Sequence, residues 1–286
     1  MKTIYSIMLI MLFSAGIAFA QEAKSCCNNE KYSETTVSFA SFGSDSEFRE
    51  GHQLPAEFNL INPKGKMIKI SVSGAEDANA YYIESAKKTN KYVFVIHEWW
   101  GLNDHIKREA DALKEELGDV NILALDLYDG KVAANREDAA KLMQAADPDR
   151  VKQIFEGAFN FAGESSEIGT IGWCFGGGWS LQMSIWLGEN GKACVMYYGI
   201  IDNTPETFNN LNAPVLGIFA RQDGWINPEV YGNLESNLKA AGKLVTIHEY
   251  DADHAFANPS NQQFDETATN DAKKHVIRFL KTNLMN

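Results

Sequence analysis

The sequence predicts a layered α/β fold on a mostly parallel central sheet of about eight strands flanked by helices. From Lys64 onward, short β-rich runs alternate with helical runs, the pattern of strands joined by helical crossovers. Several strand candidates, notably YVFVI at 92–96 and PVLGIFA at 214–220, are apolar at consecutive positions, which suits strands covered on both faces. Composition agrees: 45% hydrophobic against 22% charged residues in a chain of 286 supports a large core and excludes wholesale disorder. The 22 glycines have no triplet period and only 7 prolines accompany them, so a collagen-like chain is excluded.

The first twenty residues, MKTIYSIMLIMLFSAGIAFA, combine Lys2, an apolar run from Ile4 to Ile17, and small residues at Ala18 and Ala20. They read as a secretory signal cleaved after Ala20, which predicts export to the periplasm or beyond the cell. An uncleaved anchor is the alternative, but the run is short for a span and no basic stop-transfer flank follows. No stable membrane insertion is expected after cleavage. Residues 21–63 read as a polar leader, with adjacent Cys26 and Cys27, followed by an accessory segment of short apolar groups and turn formers. Residues 64–286 read as one catalytic-sized domain.

Within that domain the strand candidates are Met67–Val72, Ala80–Glu84, Tyr92–His97, Asn121–Leu125, Ile168–Trp173, Ala193–Tyr198, Val215–Ala220 and Leu244–Glu249. Met67–Glu84 forms a hairpin, which adds antiparallel strands at one edge. Asp104–Leu117 has one apolar helical face, with Asp104 available as N-cap and Gly118 as terminator. Further helices are predicted over Arg136–Ala145, Pro148–Phe161, Gly177–Leu187, Pro228–Ala240 and Phe264–Leu280.

Without Lys2, 25 basic residues face 38 acidic ones, a formal charge of −13. Nucleic acid and anionic membranes are thereby disfavoured as partners. Four cysteines, two of them in the leader, make no disulfide framework.

The strongest chemical signal is Gly172-Trp173-Cys174-Phe175-Gly176, followed by Gly177 and Gly178, between a strand and a helix. A nucleophile on such a sharp turn needs small flanking residues, because its backbone is constrained and side chains would crowd it. The helix start favours negative charge on sulfur, and the Phe175 N–H can face a developing oxyanion. The bland alternative is that Cys174 is a small buried hydrophobe. A phosphate cradle fails, since neither G-x-G-x-x-G nor G-K-[ST] is present at the turn.

Two later strand ends supply a base and its orienter: Asp223 in FARQDG and His254 in EYDADHAF. The order Cys174, Asp223, His254 matches the nucleophile-acid-histidine order of the α/β-hydrolase architecture. Asp251 and Asp253 compete for the acidic role but share His254's own loop, whereas Asp223 approaches from an earlier strand. Asp126, in ALDLYDG, reads as a loop-shaping acid. Glu98 closes the apolar strand VFVIHE, where an acid must be exposed or paired, and can hydrogen-bond or deprotonate Cys174. The Trp99 N–H can serve as a second oxyanion donor, and Trp99 and Trp100 can wall an apolar pocket or pack a core. Metal hydrolysis fits less well: Gly101 stands where H-E-x-x-H needs its second histidine. His97, His105, His248 and His254 have no ligand spacing, and structural roles are expected for His52 and His275.

With HEWWGLNDHI, ALDLYDG, GWCFGGG, FARQDG and EYDADHAFANP on one chain, the stretch from about Gly65 to Leu280 resembles the dienelactone hydrolase family of the α/β hydrolases. The resemblance implies Cys174, Asp223 and His254 as triad, Glu98 as the acid controlling the thiol, and the amides of Trp99 and Phe175 as oxyanion donors. It implies cleavage of an ester or lactone through an acyl-enzyme, with no metal or organic cofactor. Arg136 matches a family arginine that holds a substrate carboxylate. The second such arginine is replaced by Asn258, which removes half of the charge clamp, and Arg221 is a possible substitute. The expected function is a cysteine-dependent hydrolase of small carboxylic esters or lactones; a non-catalytic small-molecule-binding protein on the same scaffold is the alternative.

Overall fold

The computed structural model describes residues 37–285. The signal-like residues 1–20 and the Cys26–Cys27 pair lie outside them. Eight strands, β1 (Lys66–Ile70), β2 (Ala78–Ile83), β3 (Lys91–Ile96), β4 (Asn121–Leu125), β5 (Glu167–Trp173), β6 (Gly191–Tyr197), β7 (Val215–Ala220) and β8 (Val245–Tyr250), form one sheet. Its order is β1-β2-β4-β3-β5-β6-β7-β8. The β1–β2 and β2–β4 pairs are antiparallel and the others parallel, as the predicted edge hairpin requires.

The helices are α1 (Val37–Ser41), α2 (Ser46–Gly51), α3 (Asp104–Leu117), α4 (Arg136–Gln144), α5 (Pro148–Ala162), α6 (Phe175–Leu187), α7 (Pro228–Ala240) and α8 (Glu266–Leu280). Helices α3 to α7 lie in connections between strands, and α8 follows β8. Val93–Ile96 and Ile122–Leu125 are fully buried, which explains their unbroken apolar runs. Strand β8 has no fully buried residue, only half-buried and exposed ones, because it is an edge. Among the described residues no helix is long and apolar enough to cross a membrane.

Strand β3 lies between β4 and β5, so the chain leaves it on one side and returns on the other. Such a switch point opens a crevice beyond the carboxyl ends of the strands, where open α/β sheets place their ligands. Glu98 and Cys174 follow β3 and β5 at this crevice.

Three helix starts differ from expectation, α8 beginning at Glu266 rather than Phe264. The N-cap of α3 is Asn103, whose extended backbone lets its side chain accept from Ile106 N, 3.1 Å. Asp104 is thereby left to accept from Leu60 N at 3.0 Å, tying the N-terminal segment to α3. Helix α6 starts at Phe175, two residues before Gly177, because Cys174 itself takes the N-cap position of a very tight turn.

Residues 37–63 pack onto the domain. Phe39, Phe42 and Phe48 form an aromatic cluster, and Phe48 is fully buried, its ring edge-on to Trp99 at 5.6 Å and Trp225 at 5.3 Å. Helix α2 is capped by Asp45, which also accepts from Trp225 Nε1 at 3.1 Å.

Candidate active site

Cys174 joins β5 to α6 with φ 55° and ψ −120°, a region a side chain avoids and a feature that costs on the order of 1–3 kcal/mol. The turn is over-determined by its neighbours. Cys174 N donates to Tyr197 O at 3.0 Å, and Cys174 O accepts from Gly177 N at 2.9 Å. A Cβ on Gly172 would run into Gly176 O, and one on Gly176 into His97 O, so the glycines around the cysteine are steric requirements.

His254, in the turn after β8, places Nε2 3.4 Å from Cys174 Sγ. Its Nδ1 donates to Asp223 Oδ2 at 2.6 Å. Asp223, after β7, is held in turn by the amides of Trp225 and Ile226, both 2.9 Å from Oδ1. The three residues of the predicted triad thus meet in one buried relay. Asp253 takes the His254 amide and Gln263, and Asp251 takes Gln222, so neither competes for the ring. Asp126 shapes its own loop by accepting from the amides of Tyr128 and Gly130.

The electrostatics follow from burial. Burial pushes the Cys174 thiol up; the His254 hydrogen bond and charge oppose this, and the nearby Glu98 charge adds to it. Burial alone would lower His254, but the Asp223 charge and hydrogen bond, together with Cys174, hold it well above the usual histidine range. Asp223 is depressed despite the opposing effect of burial, because the His254 charge and hydrogen bond and its two backbone donors outweigh it. Glu98 is pushed up to about 7 by burial, opposed by an Asn258 hydrogen bond and by His254.

Glu98 Oε1 accepts from Asn258 Nδ2 at 2.8 Å, so in this structure its partner is the asparagine rather than the thiol. Asn258 Oδ1 accepts from Ser260, so the amide is spent within the site. Trp99 and Trp100 are buried and pack edge-to-face at 4.8 Å, as part of the aromatic core rather than an open wall. Arg136 is half-buried and its Nε donates to His52 O at 2.6 Å. Arg221 is exposed and lies 3.9 Å from Asp251.

His52, for which the sequence suggests a structural role, is brought to the nucleophile by the fold: Nε2 lies 3.8 Å from Cys174 Sγ, and Nδ1 donates to Phe48 O at 2.6 Å. Its ring sits 4.6 Å from Trp99 and 5.0 Å from His254. Burial, then the charge of His254, push it down to about 3, so the ring is neutral. The available signal was in FASFGSDSEF, whose three phenylalanines are more apolar surface than a solvated leader needs. His97, by contrast, is structural, with Nδ1 donating to Glu98 O and Nε2 accepting from Leu127 N. His105 contacts Ala56 O, and His248 stacks on His275.

With residues 37–63 packed over the site as an N-terminal cap, Cys174 is fully buried. The cavity beside Glu98, bordered by Trp173, Tyr198 and Asn258, measures about 30 Å³. That is room for a water and not for an ester.

The sequence model of the Dienelactone hydrolase family matches residues 78–284. "Protein usf" of Aquifex pyrophilus is 30% identical over 230 residues, covering 76% of this chain and 98% of its own. A putative carboxymethylenebutenolidase of Aquifex aeolicus is 28% identical over 233 residues, covering 77% and 99%. Among solved structures, a putative dienelactone hydrolase from Klebsiella pneumoniae superposes with a TM-score of 0.65 at 21% identity, over 75% of this chain and 98% of its own. The segment carrying Phe48 and His52 precedes the matched range.

Proposed function

The chain belongs to the dienelactone hydrolase family, and from that premise we propose a cysteine hydrolase of small carboxylic esters or lactones working through an acyl-enzyme. The observation that carries the reading is the relay Asp223–His254–Cys174, at 2.6 and 3.4 Å, on a strained strand-to-helix turn. His254 takes the thiol proton, and the thiolate attacks the carbonyl carbon. The oxyanion that forms is met by the amides of Phe175 and Trp99. The alkoxide leaves with the proton from His254; His254 then deprotonates a water, which attacks the thioester and expels Cys174 as thiolate. Asp223 keeps the ring in the tautomer that presents Nε2 to sulfur and stabilises the imidazolium. Glu98 tunes the thiol through its charge, and Asn258 holds it in place.

The substrate reading is a small ester or lactone without a required carboxylate. Arg136 is engaged by the His52 carbonyl, Asn258 is neutral, and Arg221 sits in solvent beside Asp251, so no pair of guanidiniums supports a charge clamp. We also propose export, on the signal-like residues 1–20; a secreted form starting at Gln21 by intact mass is the expected result.

Incubating reduced protein with a panel of activated esters and lactones should give a mass-resolved acyl adduct on Cys174 and multiple turnover, both lost in Cys174→Ala. A folded, reduced protein that neither acylates nor turns over any ester would instead support a binding protein on this scaffold.

A further inference from the structure

We propose that His52, Cys174 and His254 form a binding site for a thiophilic divalent cation, zinc foremost, which locks the N-terminal cap over the active site. The three donor atoms, one sulfur and two imidazole nitrogens, are buried and lie within 4.8 Å of one another. Zinc bound to thiolate and imidazole at about 2.3 and 2.0–2.1 Å in tetrahedral geometry requires an S···N separation of about 3.6 Å. The observed separations from sulfur, 3.4 Å to His254 and 3.8 Å to His52, bracket that value, while the two nitrogens, within 4.8 Å of one another, close toward the separation of about 3.3 Å that tetrahedral bonds of this length set when the ion enters.

The surroundings of each ring match what a metal-bound histidine needs. The Nδ1 of His254 donates to Asp223 Oδ2 and that of His52 to Phe48 O, both at 2.6 Å. A carboxylate and a carbonyl in these positions orient both Nε2 atoms toward one sulfur. His254, held well above the usual histidine range, can bond the sulfur through its own Nε2 proton, while the neutral His52 presents a lone pair to the same atom. When a divalent cation binds, the protons on Cys174 Sγ and His254 Nε2 leave to solvent, the thiolate pair and two nitrogen lone pairs become metal bonds, and no electron is transferred. Thiolate and Asp223 carboxylate together balance the two positive charges, which a buried site requires.

His52 lies outside the range that matches the family, so the matched domain alone offers two ligands and the cap brings the third. Coordination therefore joins the cap to the nucleophile. The inhibitory consequence rests on Cys174 being the nucleophile; the binding site itself does not.

The test is a Co²⁺ titration of the reduced, chelator-stripped full chain. We expect a one-to-one complex with a thiolate-to-cobalt charge-transfer band in the near ultraviolet, displaced by Zn²⁺. Cys174→Ser should abolish the band, and His52→Ala, which removes a direct ligand, should weaken binding by at least the roughly 10–100-fold that loss of an outer-shell partner costs. His52→Gln, which keeps the side-chain bulk, guards against loss of fold and should weaken it similarly. Absence of the band in folded wild-type protein, or equal affinity in the His52 variants, overturns the proposal. Zn²⁺ should also suppress ester turnover until chelator is added. A protein that turns over no ester but gives the cobalt band would sink the hydrolase reading and leave the site standing.

Discussion

The two sides of the active site are built by different means. On one side Glu98, Cys174, Asp223 and His254 follow the ends of β3, β5, β7 and β8, so their spacing is set by a sheet in which neighbouring parallel strands run in fixed register. On the other side Phe48 and His52 belong to a segment of two short helices and a loop, held by an aromatic cluster and by scattered hydrogen bonds with Trp225, Arg136, Gln144, Asp104 and His105. A sheet-held residue moves only if the core moves. A cap of this size can detach by local opening, at less than the free energy of global unfolding. The difference teaches why a fully buried thiol is compatible with catalysis: the rigid half keeps the relay assembled, and the other half is the part able to let a substrate in.

The comparison breaks first if the rigid half is not catalytic. Asp223→Asn keeps the volume but loses the charge that orients and supports His254, and should lower kcat by about 10⁴-fold. A loss under tenfold with the fold intact would remove Asp223 from the relay.

The comparison sharpens through two phenylalanines of equal burial, Phe48 in the cap and Phe94 in β3. Phe94→Ala should destabilise the protein by about 3–5 kcal/mol, measured by urea unfolding. Phe48→Ala should cost less globally, yet speed alkylation of Cys174 by iodoacetamide at least tenfold, on the order of the opening free energy it removes. Equal losses with unchanged alkylation would make the cap part of the cooperative core.

The smallest effect is electrostatic. Below pH 4.5 both folded and unfolded states protonate Glu98; between 4.5 and about 7 only the unfolded state ionises it, so its contribution to stability falls as pH rises and then levels off. Glu98→Gln removes that slope, gaining up to about 3 kcal/mol on wild type across the window. Parallel melting profiles for the two proteins would contradict the burial of an ionisable carboxyl there.

Much of this was legible along the chain. The apolar run Tyr92–Ile96 and the turn around Cys174 each carry their instruction locally, one through period and the other through steric demand for glycine. Asp223 and His254 stood out because each ends a recognisable strand. The N-cap of α3 was misplaced by one residue because Asn103 and Asp104 both have the side-chain chemistry, and only the backbone angle separates them. A guanidinium suits a carboxylate, and that chemistry is legible at Arg136; that its Nε also donates to the His52 carbonyl is a contact composition cannot reveal.

The sequence by itself determined the α/β class, the strand-end nucleophile and its ordered partners, because periodicity, turn chemistry and chain order are local properties that survive without coordinates. Only the tertiary structure decided that the accessory segment caps the site and that His52 faces Cys174. Those two residues lie 122 positions apart, and nothing in the residues between them encodes the contact. It arises because Phe48 finds its burial between Trp99 and Trp225, and the next turn of chain brings a histidine down onto the thiol.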